Sequence, residues 1–89
     1  MYLEIVSPEK TLFNGDVNSV SVPGVNGEFE MLNNHAAVVS TLKKGFVKIK
    51  SLVKIENVSE FEKKGDGYWL PINSGTIEMS SNKIIVLVD

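Results

Sequence analysis

Turn-forming residues recur at short, fairly even intervals along this sequence: Asn14-Gly15, Pro23-Gly24, Asn26-Gly27, Lys44-Gly45, Gly65-Asp66-Gly67, Ser74-Gly75 and Ser81-Asn82. The runs between them are short and rich in β-branched residues, so the chain reads as all-β, a sandwich or barrel of short strands. The clearest strand is Val47 to Ile55, with Val47, Ile49, Val53 and Ile55 on one side, Lys48, Lys50 and Lys54 on the other, and Leu52 breaking the pattern. Val20 and Val22 alternate with Ser19 and Ser21, and Ile77 and Met79 alternate with Thr76, Glu78 and Ser80, so these strands should bury one face each. Leu3 to Val6, Tyr68 to Ile72 and Ile84 to Val88 are nearly continuous apolar runs, which suits central strands covered on both sides or an edge covered by a partner.

Ser81-Asn82 between Met79 and Ile84 reads as a tight hairpin, because two-residue loops of such residues reach the positive φ that strand twist demands. Leu32 to Leu42 carries apolar residues at helical spacing, with Asn33 or Asn34 available as a cap. Its β-branched Val38, Val39 and Thr41 and its short length favour a strand from Ala37 to Leu42 instead. Asn57 to Gly67 is the most polar stretch and is expected to be an extended hairpin tip. Tyr68 and Trp69 are adjacent, so in a strand they point to opposite faces and at most one enters the core. The other faces solvent or a partner.

With 89 residues the chain makes one domain, and its 43 % apolar and 22 % charged content lies in the globular range. All nine cations are lysines and the net charge is −2, so nothing draws the chain to polyanions. Lys43, Lys44, Lys48, Lys50 and Lys54 beside Phe46 could imitate an oligonucleotide-binding face, but they read better as a solvated strand face, and no nucleic-acid partner is expected. The absence of cysteine excludes disulfides, thiolate catalysis and cysteine zinc sites, and suits a reducing compartment. No signal peptide or membrane helix is read, since Glu4 interrupts the first apolar stretch and the run Ile84 to Val88 is far below the ~20 residues a span requires. The sequon Asn57-Val58-Ser59 therefore carries no meaning.

Catalytic groupings are missing. Glu28 and Glu30, and Glu60 and Glu62, would each share a strand face, but nothing gives one member a buried and the other a solvated setting, as paired acid catalysis needs. His35 is the single histidine; it excludes multi-histidine metal sites and suits a structural or interface role better than general-base work. No serine lies in a nucleophile elbow, and the glycines form no phosphate-cradling loop. No catalytic residue, metal ligand or cofactor is expected.

Taken together, Ile5-Val6-Ser7-Pro8-Glu9-Lys10-Thr11-Leu12-Phe13-Asn14-Gly15, Val20-Ser21-Val22-Pro23-Gly24, Gly27-Glu28-Phe29 and Leu32-Asn33-Asn34-His35-Ala36 closely resemble the N-terminal domain of the epsilon subunit of the F-type ATP synthase. Ser74-Gly75-Thr76-Ile77-Glu78-Met79 and Asn82 to Asp89 resemble that family's closing hairpin. The resemblance implies a single flattened β-sandwich of about ten strands over residues 1–89. It also implies a non-catalytic rotor role at the foot of the central stalk, as a single copy held by the gamma subunit, resting on the c-ring and coupling proton flow to ATP synthesis. Membrane association would be indirect, on the cytoplasmic face of a bacterial inner membrane.

By the same resemblance Glu28, with Phe29, matches the ring-facing loop, and Ser7, His35 and Ser40 match the gamma-contact region. Glu30 stands where glycine is common and Ala37 where proline is common, the stretch from Ser51 to Gly67 is longer and more charged than usual, and Asn73-Ser74-Gly75 replaces Ser-Gly-Gly. The family's C-terminal helical hairpin, which restrains ATP hydrolysis and in some members binds ATP, would begin after Asp89. A natural length of 89 residues would leave assembly and coupling alone. The rival reading is a stand-alone β-sandwich that binds a sugar or small ligand through Trp69 and the paired glutamates.

Overall fold

A computed structural model describes residues 1–51 and 59–89, in which ten strands and no helix are found. They are β1 (Tyr2–Val6), β2 (Thr11–Asp16), β3 (Ser19–Gly24), β4 (Gly27–Leu32), β5 (Val38–Leu42), β6 (Gly45–Lys50), β7 (Glu62–Lys64), β8 (Gly67–Ile72), β9 (Gly75–Ser80) and β10 (Lys83–Val88). Hydrogen bonding links them in the order β2-β1-β10-β9-β5-β3-β6-β8-β7, with β4 on the other side of β3. The sheet curls on itself into two layers, β2-β1-β10-β9-β5 and β4-β3-β6-β8-β7, joined where Gly24 pairs with Leu42. This is the all-β sandwich that the alternation and turn spacing led us to expect.

One core fills the space between the layers. Leu3, Ile5, Ile77, Met79, Ile84 and Val86 from the first layer meet Val20, Val22, Met31, Val47 and Ile49 from the second, each with at most 1 % exposure. The three continuous apolar runs became β1, β8 and β10, each with a strand on both sides. The segment rejected as a helix is β5, beginning at Val38. Of the longest expected strand, Gly45–Lys50 is observed as β6, with Val47 and Ile49 inward and Lys48 and Lys50 outward; its continuation to Ile55 and the sequon at Asn57 lie outside the described residues. Of the expected polar tip, 62–67 forms a β7–β8 hairpin around Gly65-Asp66, and Phe61 leans edge-on against Phe13 at 5.9 Å.

Ser81 and Asn82 connect β9 and β10 with φ of 50° and 61°, the left-handed pair that a two-residue hairpin requires. Asn14-Gly15 departs from expectation. It lies inside the edge strand β2, where Gly15 stands opposite Leu3 with φ of 152°, and the chain turns instead after Asp16. An edge strand tolerates such a residue because only one of its sides is held by a ladder.

Candidate docking surfaces

In a sandwich the outer faces should be polar, and the two layers differ sharply in this respect. Across the outside of the second layer the register lines up Glu30, Ser21, Lys48, Trp69 and Glu62. Across the outside of the first it lines up Val6, Leu87, Thr76 and Thr41, and beside them Glu4, Ile85, Glu78 and Val39. Val39 is 76 % exposed and Leu87 51 % exposed; Val6 and Ile85 flank Leu87 half-buried, and Thr76 and Glu78 of β9 lie between Leu87 and Val39. A shallow groove of about 610 Å³ runs along one end of this face, walled by Val6, Pro8, Thr41 and Leu87. A row of four residues without charge on an outward sheet face is what a partner-covered surface looks like.

The residues singled out in the sequence are distributed around this frame. Ser7 builds the turn after β1: its amide and hydroxyl both donate to the Lys10 carbonyl, at 2.8 and 3.2 Å. That turn borders the apolar groove. Ser40 points inward from β5, half-buried, with its hydroxyl 3.3 Å from the Thr41 carbonyl. His35 is exposed on the β4–β5 loop, its Nδ1 donating to the Ala36 carbonyl at 2.7 Å. Ser7 and His35 thus stand at opposite ends of the outward face rather than in one cluster.

The loop that presents His35 is braced from outside. Asn82, at the tip of the β9–β10 hairpin, donates through Nδ2 to Asn33 Oδ1 at 3.0 Å and accepts the Asn34 amide on Oδ1 at 3.2 Å. Asn34 itself sits at φ 64°, a conformation that asparagine tolerates better than most residues.

Glu28 and Phe29 leave the β3–β4 hairpin in opposite directions. Phe29 packs half-buried against the core under Gly24. Glu28 lies outside, where Lys48 Nζ is 3.3 Å from both carboxylate oxygens. Lys48 Nζ also sits 4.2 Å from the centre of the Trp69 ring, with Lys64 Nζ at 5.0 Å and the Phe46 ring at 5.3 Å. Glu28, Glu30 and Trp69 therefore share one trough of about 340 Å³, as the sugar-binding reading requires, but the aromatic ring is already engaged by two ammonium groups. Tyr68 packs inward and Trp69 outward, as adjacent strand residues must.

Among the described residues no group of three or more His, Cys, Asp or Glu could hold a metal. The second acid pair is split between two exposed lysine partners, Glu60 with Lys10 and Glu62 with Lys64. Sequence reasoning missed Val39 and Lys48. Alternation within β5 carried a signal for Val39, since Val38 and Leu42 turn inward and leave Val39 outside, whereas the Lys48–Glu28 pairing depends on a register across three strands that no local pattern encodes.

The family described as the ATP synthase delta/epsilon chain β-sandwich domain matches residues 1–89. The ATP synthase epsilon chain of Campylobacter concisus is 37 % identical over 89 residues, and that of Campylobacter fetus subsp. fetus 42 %; each alignment takes in all of this chain and 60 % of the relative. The chain thus spans about three-fifths of the length of these relatives. The epsilon chain of Chlorobaculum tepidum is 36 % identical over 87 residues, 98 % of this chain and 86 % of that one. Among solved structures, the central stalk/c-ring of the Tetrahymena thermophila mitochondrial ATP synthase contains a chain that superposes with a TM-score of 0.76 at 16 % identity, over 98 % of this chain and 61 % of that one, a likeness of fold. The matched span, the identities and the two-layer fold together make this chain a member of the ATP synthase delta/epsilon β-sandwich family.

Proposed function

We propose that this chain is a non-catalytic central-stalk subunit of a proton-translocating F-type ATP synthase. In this reading it binds the gamma subunit, contacts the c-ring and turns with both, coupling rotation to ATP synthesis. The observation that carries the gamma contact is the uncharged outward row of Val6, Leu87, Thr76 and Thr41, together with the protruding Val39. Burying apolar area of this kind returns roughly 25 cal/mol per Å², so a face of this make-up supports association with a second protein. Ser7 and His35 would border the gamma interface, and Ser40 would act from behind it by holding β5. Glu28 is proposed to face the ring beside Phe29, whose packed ring keeps the hairpin rigid. Its pairing with Lys48 means that a ring partner would meet a neutralised pair rather than a bare carboxylate.

On this account the chain works as a single copy on the cytoplasmic face of a bacterial inner membrane and reaches the bilayer only through the complex. The test is size-exclusion co-elution with recombinant gamma subunit from the same organism. Stoichiometric co-elution supports the stalk role; separate elution of two folded proteins at micromolar concentration removes it. The sugar-binding alternative requires saturable binding that changes the Trp69 emission, and the two lysines over that ring argue against it.

A further inference from the structure

The two layers are open along one side, where β4 ends the second layer and β5 ends the first. Between them lies a cleft of about 380 Å³ lined by Gly27, Glu28 and Phe29 on one wall and Val38, Val39 and Ser40 on the other. Among the described residues β4 pairs with β3 alone, so the β4 wall is a free strand edge. Gly24 and Gly27 flank a two-residue turn and so exchange hydrogen bonds, which alternation then repeats at Val22–Phe29 and Val20–Met31. Glu28 stands opposite Pro23, which has no N–H to give, and Glu28 and Glu30 therefore turn their own N–H and C=O groups away from β3, into the open side.

We propose that this edge receives an extended strand of a partner protein in which basic and apolar residues alternate. An added strand would place one set of side chains outside, next to Glu28 and Glu30, and the other set inside the cleft against Phe29 and Val38. Glu30 makes no ion pair among the described residues, so it offers an unspent negative charge at the site where a cross-strand lysine or arginine would sit. Glu30, left uncompensated, also disfavours the simplest rival occupant. Pairing of β4 with β4 of a second copy would set carboxylates against carboxylates, an arrangement that protects free edges in many sheets. The cleft and its free edge would accept such a strand from any subunit that supplies this alternation.

The test is an NMR titration of the full chain with the capped peptide Lys-Val-Lys-Val-Lys, read as amide hydrogen exchange at Glu28 and Glu30. Saturable binding up to millimolar peptide with slowed exchange at both amides is expected, weakened about threefold in Glu30→Gln and about tenfold in Glu30→Lys. A peptide of five lysines has more charge but no alternation and should leave those amides unprotected. Unchanged exchange at Glu28 and Glu30, equal protection by the all-lysine peptide, or concentration-dependent dimerisation of the chain through β4 would each overturn the proposal. Failure here with intact gamma co-elution would leave the stalk reading standing.

Discussion

Gly75 pairs with Leu42 on one side and Val88 on the other, and a Cβ placed on it would run into the Leu87 backbone carbonyl. Backbone in a double-sided ladder cannot move aside cheaply, so Gly75→Ala should destabilise the fold by about 3 kcal/mol in urea unfolding. A change below 0.5 kcal/mol would show that β9 and β10 slide freely. Asn82 combines positive φ with two side-chain hydrogen bonds to the His35 loop. Asn82→Ala loses both features and should cost about 2 kcal/mol, while Asn82→Gly recovers the backbone freedom alone and should cost roughly half as much. Equal costs for the two variants would mean that the brace contributes nothing. The turn itself was legible from Ser81-Asn82, because its geometry depends only on local residues. The brace was not, since it joins positions far apart in sequence.

At the scale of strands, period-two alternation located β3, β6 and β9, and continuous apolar runs located β1, β8 and β10 in the sheet interior. These patterns are local, and each strand's burial follows from them. What alternation left open is which outward face a partner would cover. Ile84–Val88 alone allowed either two-sided burial or a partner, and the register with β1 and β9 resolves it, since Ile84, Val86 and Val88 face the core while Leu87 stays 51 % exposed. Fold stability should accordingly rest on the inner residues. Met31→Ala, at a fully buried position, should cost about 3 kcal/mol by chemical denaturation, whereas Val39→Lys on the outer face should change stability by less than about 0.5 kcal/mol. A Val39 variant as damaging as the Met31 one would contradict the assignment of β5's two sides.

The whole molecule has a radius of gyration of 11.7 Å, close to the roughly 12 Å expected for a compact chain of this length. Its two faces are chemically distinct, one crowded with Lys48, Lys64, Glu28 and Glu62, the other carrying the uncharged row Val6, Leu87, Thr76 and Thr41 with Glu4 and Glu78 in the row beside it. Association centred on the uncharged row should depend little on ionic strength. Raising sodium chloride from 0.1 M to 1 M shortens the Debye length from about 10 Å to about 3 Å, and the affinity for gamma should change by less than about threefold; a tenfold loss would point to the lysine-rich face instead. The most direct measurement is co-elution of gamma with a Val39→Lys/Leu87→Lys double variant beside the unaltered chain. The unaltered chain should co-elute one to one, and the double variant, folded by circular dichroism, should elute alone. Undiminished co-elution of the variant would contradict the placement of gamma on this face.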